Sequence, residues 1–172
     1  MYGKSRTAPK PDTRIIILLN PRKQRYKQSM NGTDETIENI TISAVRTWNT
    51  DEIIDLYRAG GWWEMGYDKA AIPRLLDGSF LVVIAKNEEN NAVGMGRLIS
   101  DGASDAYIQD VVVFPEYRER GIGSRIVSAL KKLALAYGHS WIGLISAPGK
   151  EEFYRRAGFS EMEHYTAMLR EK

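Results

Sequence analysis

The chain has no cysteine and only two histidines among its 172 residues. Without cysteine it has no disulfide, no thiolate nucleophile and no sulfur-ligated metal. His139 and His164 are too far apart in the sequence for the spacing of a metal site. The composition therefore predicts that no metal takes part, and that any catalysis uses carboxylates, tyrosines or main-chain groups.

Long hydrophobic runs are missing as well. The apolar run at residues 15–19 is far shorter than the roughly 20 residues that a membrane-spanning helix needs. Pro11, Asp12 and Arg14 before it are untypical of a signal peptide. The sequence therefore predicts a cytoplasmic protein with no membrane partner, and its length favours one domain with a full core.

Acidic residues are scarce in the first 30 residues, where eight basic residues accompany only Asp12. No interleaved aromatic residues or helix-turn-helix pattern go with this charge, so it favours a solvated extension over a nucleic-acid-binding arm. Residues 15–19 are compatible with a short strand that docks on its own domain or on a partner's sheet edge in a homodimer. We assign residues 1–38 to this basic extension and residues 39–172 to a single domain.

Residues 111–124 are typical of a buried strand, a charged turn with two glycines and a helix start. Gly121 and Gly123 carry no Cβ and let an anion approach the main chain closely. The first N–H groups of a helix have no internal partner, and the helix dipole adds partial positive charge there. This pattern predicts a phosphate or pyrophosphate site, with an ordinary strand-to-helix turn as the alternative.

Two nucleotide motifs do not fit this turn. A dinucleotide fingerprint needs a third glycine, where Ile126 stands, and a glycine almost directly after the strand. Here residues 114–120 separate Val113 from Gly121. A P-loop needs a Lys-Ser or Lys-Thr pair, which does not follow Gly123.

The remaining pattern, Arg118-x-x-Gly121-x-Gly123, resembles the acetyl-CoA pyrophosphate loop of the GCN5-related N-acetyltransferase (GNAT) family. Farther on, Phe153-Tyr154 and Gly158-Phe159 resemble the Phe-Tyr-x-x-x-Gly-Phe signature of the same family. The resemblance covers residues 39–170 and implies an acetyl-CoA-dependent N-acetyltransferase. The alternative from another class is a coenzyme A-binding sensor without turnover.

The hydrophobic pattern is that of an alternating α/β (α+β) domain. It predicts helices after a cap at Thr50-Asp51 and at residues 68–76, 122–138 and 151–156. Strands are predicted at residues 40–44, 80–85, 93–99, 107–113, 141–145 and 159–169. The order matches the N-acetyltransferase fold, which implies a mixed, mostly antiparallel central sheet flanked by helices, with two central strands splayed apart to hold acetyl-CoA.

The resemblance also implies which residues contact acetyl-CoA. The main chains of Val111 and Val113 would pair with the amide-rich pantetheine arm. The pyrophosphate would be held by main-chain N–H groups of the turn, which consists of Arg118, Glu119, Arg120, Gly121, Ile122, Gly123 and Ser124. The side chains of Arg118, Arg120 and Arg125 would add charge-assisted hydrogen bonds. Tyr154 would lie near the sulfur and protonate the leaving thiolate. A half-buried helix tyrosine before a Gly158 C-cap is its alternative reading.

Direct attack by an amine in a ternary complex requires a group that removes a proton from the ammonium. Asp110 is the predicted base, because it lies in an apolar strand beside the expected acetyl-CoA gap. An aspartate that faces solvent or accepts main-chain hydrogen bonds is the alternative. Asp101 and Glu64 also carry carboxylates, but each is explained as a turn or surface residue.

Residues 97–102 and 107–113 resemble plant-type arylalkylamine (serotonin) N-acetyltransferases and their microbial relatives. Trp62, Trp63 and Tyr67 are predicted to line the acceptor pocket, with core packing of at least one tryptophan as the alternative. Ala147 and Lys150 depart from the asparagine and alanine of many family members. The predicted acceptor is a small aromatic or aliphatic amine; a protein lysine or N-terminus is the enzymatic alternative.

Overall fold

A six-stranded sheet runs through the described part of the chain, which is residues 35–37 and 39–171 of a computed structural model. Neighbouring strands are antiparallel from the first to the fifth, and the sixth runs parallel to the fifth. This confirms the predicted mixed, mostly antiparallel sheet. In spatial order the strands are β1 (Glu35–Ile37), β2 (Ile40–Val45), β3 (Leu81–Lys86), β4 (Ala92–Ile99), β5 (Asp105–Val113) and β6 (Trp141–Leu144).

Four α-helices accompany the sheet in the described residues, close to the predicted places. They are α1 (Thr50–Ala59), α2 (Ala71–Gly78), α3 (Ile122–Ala136) and α4 (Glu151–Arg156). Helix α2 begins three residues later than predicted, because the Asp68 side chain accepts a hydrogen bond from Ala70 N and forms a turn before the helix. Pro73 lies in the first turn of α2, where its missing N–H costs no helix hydrogen bond.

The start of α1 differs from the prediction by one residue. Asn49, not Thr50, caps the helix, and its side-chain oxygen accepts from Asp51 N at 2.9 Å and from Glu52 N at 3.2 Å. Asparagine satisfies the orphan donors of a helix start as well as any residue does.

The core has two layers, one on each face of the sheet. Helices α1 and α2 pack on the face that carries Ile84, Met95 and Val112. Helix α3 packs on the opposite face, where a Cβ added to Gly96 would lie only 2.8 Å from Ile126 and 2.9 Å from Leu130. Gly96 therefore lets α3 approach β4 closely.

The predicted closing strand at residues 159–169 is wrong. The structure has no strand after Leu144 in the described residues, and Met162, Tyr165 and Met168 are exposed. Neither set of alternate residues in this segment is consistently apolar, so a strand here would have no apolar face to bury.

The basic extension lies almost wholly outside the described residues, as does its predicted docking strand at 15–19. Only Glu35–Ile37 of the range 1–38 is described, as a strand that pairs with β2. The domain boundary stays a prediction. No helix in the described residues is long and apolar enough to cross a membrane.

The cap of α1 gives a direct stability test. Asn49→Ala should lower the free energy of unfolding by about 1 kcal/mol, because two N–H groups lose their acceptor. Thr50→Ala should change it by less than about 0.5 kcal/mol, because Thr50 occupies an ordinary first helical position. Urea denaturation of both variants measures the difference. A larger loss for Thr50→Ala would contradict the assigned cap.

Candidate active site

The first feature of the site is a gap beside the second half of β5. Strand β6 accompanies β5 only from Asp105 to Ile108, which lies opposite Leu144. Phe114 N donates to Val93 O of the neighbouring hairpin. Because successive residues of a strand point their main-chain groups to opposite sides, those of Val113 and Val111 point away from β4 and into the gap. An extended, amide-rich ligand can pair with a strand edge of this kind.

The second feature is an uncapped helix start at the end of β5. Gly121 occupies the N-cap position of α3 with φ 75°, and no side chain caps the helix. Arg125 N to Gly121 O, at 3.1 Å, is the first hydrogen bond of the helix, so the N–H groups of the three residues between have no partner within it. No acidic side chain occupies the first turn. The helix start is therefore suited to an anion.

The two predicted motifs meet at Gly123. A Cβ added to Gly123 would lie 3.4 Å from the Phe153 ring and 3.8 Å from the Val113 side chain. Lys131 of α3 fixes α4 from the other end, since its Nζ donates to Ala157 O at 2.5 Å. The strand end, the helix start and α4 thus form one continuous surface, and Tyr154 follows Phe153 directly.

Tyr154 lies half-buried between two aromatic rings. Its ring centroid is 4.9 Å from that of Phe153 and 6.3 Å from that of Phe159, with edge-to-face geometry in both pairs. Burial raises the pKa of the Tyr154 hydroxyl above its ordinary value. The hydroxyl therefore remains protonated at neutral pH and is able to donate a proton.

A cavity of about 360 Å³ opens beside Tyr154. Strand β6, helix α4 and the segment that follows α4 form its walls, with Leu144, Glu151 and Met162 among the lining residues. Its walls include neither Val111 and Val113 nor any residue of the turn 118–124. The cavity therefore lies beside β6 and α4 and does not extend along the second half of β5 or to the turn 118–124.

The arginines near the turn differ in their surroundings. Arg118 is exposed, and it donates to Val113 O at 3.0 Å and to Ala59 O at 3.4 Å. Arg120 is exposed over the Tyr117 ring at 5.5 Å. Arg125 is directed toward β2, where it donates to Ile40 O at 3.4 Å. The structure thus places Arg118 and Arg120 at the turn, and it gives Arg125 a contact on the sheet.

Asp110 occupies a bulge in β5. Strand β4 has one residue, Gly96, opposite Asp110 and Val111, because Met95 pairs with Val112 and Arg97 with Gln109. Asp110 has φ 53°, in the left-handed region that aspartate tolerates better than most residues. The carboxylate does not face open solvent; it forms an ion pair with Arg97 at 2.5 Å.

The comparisons with known proteins agree with this geometry. Residues 77–161 match the family model of the Acetyltransferase (GNAT) domain. The chain belongs to the GNAT acetyltransferase family. It is accordingly an acetyl-CoA-dependent acyltransferase, and the predicted family and fold are both confirmed.

Individual relatives cover most of the chain. An uncharacterized N-acetyltransferase, ycf52, of Porphyra purpurea is 28% identical over 72% of this chain and 71% of its own length. The chloroplastic GCN5-related N-acetyltransferase 1 of Arabidopsis thaliana is 28% identical over 91% of this chain and 88% of its own length. The solved structure of the GNAT family protein SP0256 from Streptococcus pneumoniae is 26% identical, with a TM-score of 0.64 over 77% of this chain and 98% of that one.

The three aromatic residues predicted for the acceptor pocket have different surroundings in this acetyltransferase. Trp62 is 42% exposed and contacts the Tyr57 ring edge-on, with centroids 5.9 Å apart. Trp63 packs against the hydrophobic core and also contacts Tyr67 edge-on at 5.6 Å. Tyr67 is 52% exposed. Trp62 and Tyr67 thus present aromatic surface, whereas Trp63 is the tryptophan that packs against the core.

Tyr57 and Arg97 are the functional candidates that residue patterns alone did not identify. Both contact the Asp110 carboxylate, from α1 and β4 respectively. Tyr57 occupies a buried position that is typical of core packing. Arg97 carried a signal, however, since it is the one charged residue of the apolar strand β4 and lies on the hairpin partner of the strand that holds Asp110.

The buried Tyr57 hydroxyl should make the folded protein less stable at alkaline pH. Burial, followed by the hydrogen bond to Asp110, raises the pKa of Tyr57 far above its ordinary value near 10. The unfolded chain therefore releases this proton first, and stability present below about pH 10 is lost above it, by up to about 1.4 kcal/mol for each pH unit. Urea denaturation at pH 8 and pH 11 should show a smaller decrease for Tyr57→Phe than for the wild type. Equal decreases would contradict the assignment.

Proposed function

We propose that this acetyltransferase transfers the acetyl group of acetyl-CoA to a primary amine by direct attack in a ternary complex. The observation that carries the proposal is the contact surface around Gly123, where the end of β5, the start of α3 and the helix of Tyr154 meet. Acetyl-CoA requires N–H donors for its pyrophosphate, a strand edge for its pantetheine arm and a proton donor for its sulfur, all within the length of one ligand. These three elements supply them.

The acetyl-CoA half of the site uses main-chain groups. The Val111 and Val113 main chains pair with the pantetheine arm, and the uncapped N–H groups of α3 bind the pyrophosphate. Gly121 and Gly123 leave that helix start accessible because neither carries a side chain. Arg118 and Arg120 add charge at the turn, together with the main chain of Glu119, Ile122 and Ser124.

The chemistry requires two proton transfers at defined atoms. Bound acetyl-CoA supplies an activated thioester. Asp110 takes one proton from the ammonium, so that the nitrogen lone pair forms the N–C bond while the C–S bond breaks. Tyr154 donates its proton to the departing sulfur. The nitrogen loses its second proton to solvent as the amide forms, and Tyr154 regains a proton from solvent. The recorded contacts of Asp110 all use Oδ2, so Oδ1 is the oxygen that receives the ammonium proton.

A small aromatic or aliphatic amine is the proposed acceptor. The exposed aromatic surface of Trp62 supports it, because Trp62 is joined through Tyr57 to Asp110. A flat aromatic surface beside a carboxylate suits an arylalkylamine, whose ring packs on the indole while its ammonium meets the anion. A protein lysine or N-terminus presents the same ammonium group without the aromatic ring.

Location, assembly and metal independence remain predictions from the sequence. A cytoplasmic location is predicted, although one of the relatives described above is chloroplastic. The basic extension is predicted not to bind nucleic acid, and a homodimer remains one arrangement for its docking strand. No group of three or more side chains in residues 35–37 and 39–171 could hold a metal ion.

Tyr154→Phe tests the proposed acid. The variant should lower kcat by roughly 100-fold or more, since a positioned acid contributes at least that much, while the Kd for acetyl-CoA stays within about twofold. Steady-state rates and calorimetric binding give the two values. Tyr165→Phe is the matched control, because Tyr165 is 78% exposed on the segment after α4. An unchanged rate in Tyr154→Phe would remove this residue from the mechanism.

An acceptor panel tests the substrate class. Arylalkylamines, polyamines, aminoglycosides and lysine peptides are compared by acetyl-CoA-dependent thiol release, with acetyl-CoA binding measured in parallel. We expect the highest kcat/KM for an arylalkylamine. A preference for lysine peptides would support the protein-acetylating alternative. Tight acetyl-CoA binding without turnover on any amine would support a sensor.

A further inference from the structure

Two side chains from two elements converge on one carboxylate oxygen of a third element. Asp110 Oδ2 accepts from the Tyr57 hydroxyl of α1 at 2.5 Å and from Arg97 Nε of β4 at 2.6 Å, and Arg97 Nη2 lies 2.5 Å away. The side chains of Arg97 and Asp110 are 10% and 22% exposed. The carboxylate is therefore fixed through one oxygen in a largely water-free place.

The guanidinium of Arg97 is also hydrogen-bonded on the side away from Asp110. Its Nη1 donates to Ser79 Oγ at 2.9 Å, and Ser79 donates onward to Leu75 O at 2.7 Å. A planar guanidinium that is hydrogen-bonded on both sides has little freedom to turn. The end of α2 thus sets the angle at which Arg97 meets Asp110.

We propose that Tyr57 and Arg97 are positioning residues for acetyl transfer, which hold Asp110 by Oδ2 and thereby present Oδ1 to the acceptor amine. The inference deepens the proposed function and rests on it, since it takes Asp110 as the group that receives the ammonium proton. Neither Tyr57 nor Arg97 touches the reacting atoms; both act through Asp110.

Fold stability alone gives a weak reason for this cluster. A buried ion pair is often no more stabilising than apolar residues of the same size. Asp110 also adopts a left-handed conformation that costs free energy for a residue with a side chain. Strained backbone and buried charge occur together at functional sites more often than elsewhere.

Tyr57 also connects Asp110, the proposed proton acceptor, to the aromatic surface of Trp62. Its ring lies edge-on to Trp62, and Gly60 leaves the space that Trp62 occupies, because a Cβ there would lie 2.8 Å from the indole. One side chain thus bears on both the carboxylate and the aromatic surface. No recorded hydrogen bond links Tyr57 to the turn 118–124 or to α4 in the described residues. Its loss should therefore affect the amine half of the reaction and leave acetyl-CoA binding intact.

The charged and titratable groups recorded against Asp110 are Tyr57 from α1 and Arg97 from β4. Both donate to the Asp110 carboxylate. Loss of either donor should let that carboxylate turn away from the acceptor amine. The loss should therefore appear in kcat more than in KM, which a general structural defect would not cause.

The test is Tyr57→Phe, with Tyr107→Phe as the matched control on β5. Tyr107 is 43% exposed and contacts the Trp141 ring at a tilted angle. For Tyr57→Phe we expect a roughly tenfold lower kcat for the preferred amine, a KM within about twofold of the wild type and an acetyl-CoA affinity within about twofold of the wild type. Tyr107→Phe should match the wild type in all three. Circular dichroism and thermal unfolding check the fold.

A second variant keeps the inference testable if Tyr57→Phe does not fold. Ser79→Ala frees the far side of Arg97 while the ion pair with Asp110 remains. It should lower kcat for the preferred amine by a smaller factor than Tyr57→Phe does, with unchanged acetyl-CoA affinity.

The outcomes separate the inference from the proposed function. A wild-type protein that acetylates no amine would defeat the proposed function itself. A wild type that is active, with Tyr57→Phe unchanged in kcat and in KM, would overturn only the positioning role. A variant that loses acetyl-CoA affinity as strongly as it loses turnover would also overturn it, because such a loss indicates a general structural defect.

Discussion

The pairing of β5 with β6 stops at Ile108 and Leu144, and the arrangement of the active site depends on that end point. Up to that point the main-chain groups of β5 and β6 pair with each other. Beyond it no strand of the described residues pairs with that side of β5, where Val113 O accepts from the Arg118 side chain, and α3 begins at Ile122 after eight intervening residues. Had β6 continued along β5, its own main chain would occupy the edge that is proposed to pair with pantetheine.

A second constraint acts on the opposite edge of β5. Strand β4 pairs with β5 through a bulge, which turns the Asp110 side chain to Arg97 and Tyr57. The bulge lies on the β4 side of β5, and the end of the β5–β6 pairing lies on the opposite side of the same strand. In the proposed function, one side serves the acetyl donor through main-chain groups, and the other serves the amine through side chains. Such a division would explain why the proposed acetyl-CoA residues are recognisable as a motif while the proposed acceptor residues are not.

The sequence predicts those parts of the fold that repeat locally. Ile122, Ile126 and Leu130 recur at helical spacing, and all three are buried on α3. The Phe153 and Gly123 motifs lie far apart in the chain and meet in space, which only their joint resemblance to one family implied. The prediction of a closing strand failed because residues 159–169 lack a consistent alternation. The cap at Asn49 was missed because threonine is also a common capping residue.

The partners of Asp110 could not be predicted in the same way. Tyr57 is 53 residues from Asp110 in the sequence. Ser79 is 18 residues from Arg97 and reaches the carboxylate only through that arginine. No period or motif connects such positions. The two predicted strands at residues 93–99 and 107–113, each with one charge of opposite sign, nevertheless carried a usable signal, because unpaired charges are rarely buried.

Amide hydrogen exchange with and without saturating acetyl-CoA tests the central claim most directly, since the claim concerns named main-chain N–H groups. We predict slower exchange at Val111 and Val113 and through residues 119–124, with little change in α1 and in the turn at residues 87–91. Acetyl-CoA binding that leaves residues 111–124 unprotected, or that protects a different edge of the sheet, would contradict the assigned site.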